Sequence, residues 1–379
     1  MPAHRPVAHI VLALCLTGLA ACQNPETATR EAGPPDPQAL VEAAVADAPL
    51  FSGIAVISRQ GRIAGIAVQG IADRETGRMV TPDTLFSIAS AGKMLTAQAI
   101  DILVREGRLG FDTPVADLLP ELADAMPAHL TVDHLLQHRS GFRITRTPDD
   151  AALDAVTGNH DMFALYMTLG LSSEGPADFR YDNANFVLLG EIVARLSGEP
   201  YESLVQRAVL ADQGLETPVF QQPAAGRDRL VAHPYMPVDF QTWWNSETPV
   251  RGDRADDYVH PAPVPAPTAG GGALASGPDM ARFVASFAAS PVGERLCGIV
   301  AATEARGYGR GCAVRAGPYG RRYGHTGSTA GVQARVFAYP DRGYEIVVLS
   351  NHDGEAAPVF DALEARLFAL APPMDGTGE

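Results

Sequence analysis

The chain has 379 residues, 46% of them hydrophobic and 19% charged, with a formal net charge of −15 at pH 7. That length supports a large core, in one domain or two interleaved ones, while the acidic balance and the absence of any basic stripe argue against nucleic acid as a partner. Lysine and arginine together number 29, yet a single one is lysine, Lys93. Arginine keeps its proton in proteins, whereas a desolvated lysine amine can serve as a base, so Lys93 is a catalytic candidate before any motif is considered.

The N-terminus reads as a targeting segment. Arg5 precedes an apolar run, Ile10 to Ala21, that is too short to span a bilayer comfortably. The run ends Leu19-Ala20-Ala21-Cys22, which resembles the bacterial lipobox, cleaved before a cysteine that becomes lipid-modified. Residues 1–21 are therefore expected to be a signal peptide and Cys22 the lipidation site, with an ordinary signal peptide as the alternative. Gln23 follows rather than Asp, which leads to the expectation of an exported lipoprotein of the cell envelope. It would sit on the periplasmic face, anchored to the outer membrane. Residues 22–38, rich in Pro, Glu and Thr without hydrophobic periodicity, read as a flexible tether.

Helical spacing covers Leu40 to Ala48, and two strand-like runs, Phe51 to Arg59 and Ile63 to Gly70, flank a hairpin signal at Gln60-Gly61. Ser90 to Glu106 is a helix whose apolar residues lie nearly all round, the mark of a central, buried element. The middle is mostly helical, with helices over Val132 to His138, His160 to Leu169, Asn185 to Leu196 and Tyr201 to Leu210. Gln221 to Pro267 is long, Pro-rich and irregular, and its Trp243-Trp244 pair either lines a substrate mouth or anchors the loop. A helix over Pro278 to Phe287 is followed by three strands (Arg321 to Thr326, Val332 to Tyr339, Tyr344 to Ser350) and a last helix from Ala356 to Leu370. The fold class is thus α+β: an antiparallel sheet built from both chain ends and flanked by helices, plus an inserted, mostly helical domain. The expected boundaries are 39–80 and 319–372 for the sheet domain and 81–318 for the helical one.

Of four cysteines, Cys15 leaves with the signal and Cys22 would carry lipid, so Cys297 and Cys312 remain. They form a disulfide or stay as two buried thiols, and their short separation in an oxidising compartment favours the bridge. His134 and His138 are spaced i, i+4, but Leu135 stands where a metalloprotease helix needs Glu, so no metal site is expected. Gly270-Gly271-Gly272 follows a proline-rich loop rather than a strand and lacks the spacing of a nucleotide fingerprint, so no cofactor is expected.

Ser90-Ala91-Gly92-Lys93 is a Ser-x-x-Lys at the start of the central helix. Positions i and i+3 share a helix face at about 5–6 Å between Cβ atoms, so hydroxyl and amine can meet. Burial lowers a lysine pKa and makes neutral amine available to take the serine proton. Tyr181-Asp182-Asn183 opens the next long helix and offers a proton relay and a polar orienter, or simply a cap. His325-Thr326-Gly327-Ser328 ends a strand near the C-terminus, where Gly lets a substrate lie along the edge.

Together and in this order, the three elements resemble the serine β-lactamase and penicillin-binding protein superfamily, in particular the class C β-lactamase-related esterases and carboxypeptidases. Tyr181 and Asn183 match the Tyr-x-Asn element of that branch. Leu135 to Gly141 with His138 and Ser140, and Ser276-Gly277-Pro278-Asp279-Met280, agree as well. The likeness covers roughly residues 40 to 370. It implies a serine hydrolase in which Ser90 attacks a carbonyl to give an acyl-enzyme, Lys93 is the base and Tyr181 relays protons. Backbone N–H groups of Ser90 and Ser328 would form the oxyanion hole, with Asn183, His325, Thr326, Gly327 and Ser328 binding substrate. The substrate would be a small ester, amide or peptide, cell-wall derived or not, taken by an esterase, a D-peptidase, a carboxypeptidase or a weak β-lactamase. The rival reading is a catalytically idle relative that binds cell-wall peptides or β-lactams as a sensor or scaffold. His325 departs from the lysine of Lys-Thr-Gly, and a neutral imidazole holds a carboxylate less firmly than an ammonium. Weaker recognition of penicillins and more tolerance for neutral esters or amides are therefore expected. Asp182, often Ser in relatives, is expected to cap the helix, and His138 and Ser140 to pack and cap rather than catalyse.

Overall fold

The structure, a computed structural model, describes residues 36–369 apart from 218–219, 221–229, 247–249, 263–265, 290 and 300–305. The expected signal segment 1–21, the lipidation residue Cys22 and nearly all of the tether lie outside the described residues. The first helix, α1 (Pro37–Ala46), is capped by the Asp36 side chain and has Pro at its first position, so regular structure starts inside the expected tether. Among the described residues no helix is long and apolar enough to cross a membrane.

A seven-stranded antiparallel sheet organises the described chain. In chain order its strands are β1 (Gly53–Arg59), β2 (Arg62–Gln69), β3 (Arg306–Tyr308), β4 (Ala313–Gly317), β5 (Gly320–Thr329), β6 (Val332–Tyr339) and β7 (Tyr344–Ser350). Across the sheet they run β3-β4-β5-β6-β7-β1-β2. The β1–β2 hairpin turns at Gln60 and Gly61, both at positive φ (51° and 74°), the conformation that matches the right-handed twist of the flanking strands. β1 pairs with β7 from Gly53↔Ser350 to Arg59↔Tyr344, so the two ends of the described chain meet in the sheet interior.

Both faces of the sheet are covered, which is why its middle strands read as continuous apolar runs. Alternate residues point to opposite faces. Ile54, Val56, Val336, Val347 and Leu349 pack with Met280, Phe283 and Phe287 of α5 (Gly277–Ala288). Ala55, Ile57, Phe337, Ile346 and Val348 pack against α1 and α6 (Ala356–Ala369), through Val41, Val359, Phe360 and Leu363. A fully buried aliphatic side chain of this kind contributes about 2 kcal/mol.

The first cluster continues into the helical part. It takes in α2 (Lys93–Arg105), which a 3₁₀ turn over Ala89–Gly92 precedes, and α4 (Asn183–Ser197). It also includes Phe163 of α3 (Asn159–Thr168). α4 starts two residues before its expected Asn185, because Asp182 accepts a hydrogen bond from the Ala184 N–H (2.9 Å), and it stops at Gly198 (φ 77°). Tyr201–Leu204 continues into a π-helical turn over Val205–Leu210.

The division of labour differs from the expected boundaries. β3 and β4 precede residue 319 yet belong to the sheet, and α5, inside 81–318, packs on a sheet face. The described residues fall in one compact unit. β3 is only three residues long and is followed by Gly309-Arg310-Gly311, so it carries no alternation to read. Cys297, which follows a short helix over Val292–Leu296, is joined by a disulfide to Cys312 at the start of β4.

The described parts of the long 221–267 segment are tied to the end of β7. Asn351 accepts from the Tyr235 N–H (2.8 Å), Trp243 Nε1 donates to Asp353 (2.5 Å), and Arg251 and Tyr258 both bond Glu355. Trp243 therefore acts as an anchor of the loop. The Trp244 side chain is outside the description.

Candidate active site

The turn that presents Ser90 is held by close backbone approaches that only glycine permits. Ile88 N–H donates to Ala273 O (2.9 Å) and Gly272 N–H to Ala89 O (3.1 Å), which strap the turn to the 268–273 loop. Ala89, immediately before Ser90, has φ 41°, an uncommon conformation for a residue with a side chain. A Cβ on Gly271 (φ 144°) would lie 2.6 Å from the Ala89 carbonyl oxygen, and one on Gly327 would lie 2.2 Å from that of Ile88. Gly271 thus admits the loop, and Gly327 admits β5, close against the turn that leads into the serine.

Lys93, one turn along, is completely buried. Its Nζ lies 3.3 Å from Ser90 Oγ, 2.7 Å from Asn183 Oδ1 and 2.5 Å from Gly270 O. Loss of hydration pulls its pKa from 10.5 down to about 7, with the Asp182 carboxylate pushing the other way. The amine also stands over the rings of Tyr181 (4.8 Å) and Phe186 (5.4 Å).

Tyr181 is 42% exposed, with its phenol beside Ser90. Partial burial pushes its pKa up to about 12, against the contact with Ser90, which lowers it. The opposite face of the site is aromatic. The buried His138 ring lies 4.2 Å from that of Tyr181 and 4.9 Å from that of Tyr308. His138 Nδ1 accepts from the Asp182 N–H (3.2 Å) and Asn185 Nδ2 (3.3 Å), and burial pulls its pKa down to about 2, so it is a neutral packing residue. His134 is used in a capping box with Thr131.

Asn183 and Ser328 line a cavity of about 210 Å³ with Ser90, together with Met162 and Tyr166 of α3. Of the other expected site residues, Lys93, Tyr181, His325, Thr326 and Gly327 lie outside this lining. The His325 ring is almost wholly buried: Nδ1 faces Thr326 O (2.5 Å) and Nε2 the Tyr308 hydroxyl (3.0 Å). Burial, with the nearby Lys93 charge, holds its pKa at about 3.

Several contributors were missed in the sequence. Asn159 joins α4 to the 268–273 loop by accepting from Ala269 N–H (3.1 Å) and donating to Val187 O (3.1 Å). Tyr308 lies on the unrecognised strand β3, and Gly270 acts through its carbonyl, which has no side-chain signal. The polar Thr268 and Thr329 complete the rim of the cavity.

Comparison with known proteins identifies the family. The family model described as Beta-lactamase matches residues 38–371. The chain is 28% identical over 370 residues to "Esterase EstB" of Burkholderia gladioli, covering 87% of this chain and 94% of that protein. Among solved structures, a penicillin binding protein from Bacillus halodurans superposes with TM-score 0.66 at 25% identity, over 86% of this chain and 98% of that one. D-amino acid amidase from Ochrobactrum anthropi SV3 shares the fold at TM-score 0.69 and 21% identity, over 88% and 98% of the two chains. The chain accordingly belongs to the beta-lactamase family and is a serine hydrolase.

Proposed function

We propose that this protein is a class C β-lactamase-related hydrolase that cleaves neutral esters or amides through an acyl-enzyme on Ser90. The observation that carries the reading is the buried Lys93 amine, 3.3 Å from Ser90 Oγ, with its pKa brought to about 7. A group so poised is substantially neutral at neutral pH and can accept the serine proton. Tyr181, pushed up to about 12, keeps its own proton over the same range. Environments that drive two pKa values apart assign the base and the acid, here Lys93 and Tyr181.

The steps follow. Ser90 Oγ bonds to the substrate carbonyl carbon as its proton passes to Lys93 Nζ. The oxyanion is met by the N–H groups of Ser90 and Ser328, close to the start of α2. The bond to the leaving group breaks as that group takes a proton, relayed from Lys93 through Tyr181. Water then attacks the acyl carbon, gives its proton back along the same route, and frees the acid and Ser90. Asn183 Oδ1 fixes the amine in place.

Two features favour neutral substrates. The described lining of the cavity holds no charged side chain. His325, at the position where relatives carry a lysine, has both ring nitrogens engaged within the protein. Ester cleavage is further supported by the likeness to an esterase, and amide cleavage by the fold shared with an amidase. We also propose that the chain is exported and anchored through a lipid on Cys22, on the strength of Leu19-Ala20-Ala21-Cys22. Labelled palmitate entering the full chain but not Cys22→Ser would support that, and equal labelling would overturn it.

The activity is tested with a short-chain p-nitrophenyl ester and a chromogenic cephalosporin. Ester turnover that is lost in Ser90→Ala and exceeds cephalosporin turnover is expected. Turnover retained in Ser90→Ala would refute the nucleophile. A preference for the cephalosporin would refute the neutral-substrate reading.

A further inference from the structure

We infer that Tyr308 is a positioning residue that sets the tautomer of His325 and, through it, orients the substrate-side backbone of β5. This rests on the reading of Ser90 as the acyl-transfer centre. The atoms decide the direction of each bond. Thr326 O can only accept, so His325 Nδ1, 2.5 Å away, carries the proton and donates. A neutral ring then has a bare Nε2, and the Tyr308 hydroxyl, 3.0 Å away, donates to it.

The ring's surroundings keep it neutral. Lys93 on α2 and Arg315 on β4 both oppose a proton on it, Tyr181 before α4 and Tyr308 on β3 face it with uncharged rings, and burial excludes water. Among the described residues, no carboxylate is bonded to it. Tyr308 has a pKa raised well above 10 by burial, so its hydroxyl remains a donor at any working pH. Hydrogen bonds in such a chain polarise one another, so donation from Tyr308 strengthens donation by His325 to Thr326.

The end of the chain matters for catalysis. The Thr326 carbonyl lies one peptide before Gly327, which packs on the nucleophile turn, and two before Ser328, which lines the cavity. Tyr308 is itself fixed from outside the site. Gly309, the next residue, donates to Cys312 O (2.8 Å), and Arg310 donates to Leu296 O (2.6 Å), beside the Cys297–Cys312 disulfide. Ring contacts with His138, Phe179 and Tyr181 hold its plane.

The test is Tyr308→Phe, which removes one oxygen from a packed ring, studied as the full chain beside wild type and Ser90→Ala. With a p-nitrophenyl ester, kcat should fall about tenfold while KM stays within about twofold, the pattern of an interaction used mainly in the transition state. Imidazole ¹⁵N spectra should show His325 as the Nδ1–H tautomer in wild type and a shift toward Nε2–H in Tyr308→Phe. A wild-type ring protonated on Nε2 would overturn the inference, as would an unchanged spectrum or an unchanged kcat in Tyr308→Phe. Those failures, with Ser90→Ala inactive, would leave the Ser90 reading standing. Turnover surviving in Ser90→Ala would sink that reading instead, and the nitrogen spectrum would still decide the tautomer.

Discussion

At the scale of single residues, the chain places its one lysine where burial brings the amine close to neutrality at pH 7, and the proposed reading makes that amine the base. Lys93 is fully buried, and three oxygens surround its amine without supplying a neighbouring carboxylate contact. The sign of its pH dependence follows. The base form is the deprotonated one, so kcat/KM should rise with pH and level off above an apparent pKa near 7. Tyr181, pushed up to about 12, should give no falling limb below about pH 10. Lys93→Arg keeps a cation but offers no base, and should lower kcat/KM at least about a hundredfold. A flat profile between pH 5 and 9 (roughly two units either side of the pKa), or an active Lys93→Arg, would contradict the assignment.

The legibility of the site also belongs to this scale. Ser90, Lys93, Tyr181, Asn183 and Ser328 could be marked because their residue types are reactive or polar and their spacings recur. His325 could be marked for the same reason, but its burial and its bond to the Tyr308 hydroxyl could not be read. Tyr308 lies 17 positions away on another strand. The Gly270 carbonyl and the Asn159 amide left no trace either, because one is backbone and the other acts across 110 positions.

At the scale of elements, most strands and helices with a strong period were readable to within a residue or two, whereas α1 starts three residues before the expected Leu40 and β5 runs three past the expected Thr326. β6 and β7 begin and end where their apolar runs do. β3 and β4 were not readable, since three residues followed by glycine and arginine, and five with an arginine at their centre, are too short to show a period. Yet this edge hairpin carries Tyr308, and the Cys297–Cys312 bridge secures its turn to the helix over Val292–Leu296. Removing the bridge in Cys297→Ala/Cys312→Ala should cost about 3 kcal/mol of stability, by freeing a loop of 15 positions in the unfolded chain. It should also reduce kcat more than it raises KM. A variant that melts earlier but retains wild-type kcat below its transition would separate the bridge from the site.

At the scale of the whole molecule, the fold is a device for bringing distant segments to one serine. The sheet is joined in its interior by its first and last strands, β1 against β7, and the Gly327 end of β5 lies beside the turn that opens α2. The helical region supplies Asn183 and the α3 wall, and the loop before α5 supplies the Gly270 carbonyl and Gly271. The overall α+β class was legible, because strand-like apolar runs at both ends implied one sheet. The boundary between sheet and helical regions was not, because α5 and β3–β4 sit within the helical stretch by sequence and on the sheet in space.

The account turns on a covalent bond to one oxygen. Wild-type protein mixed with a slowly deacylating p-nitrophenyl ester, quenched in acid within its first turnovers and digested, gives peptides that mass spectrometry can locate. The prediction is a single acyl group on the peptide containing Ser90, absent from Ser90→Ala and from unreacted protein. An acyl group on another residue, or release of p-nitrophenol at full rate in Ser90→Ala, would contradict the central claim.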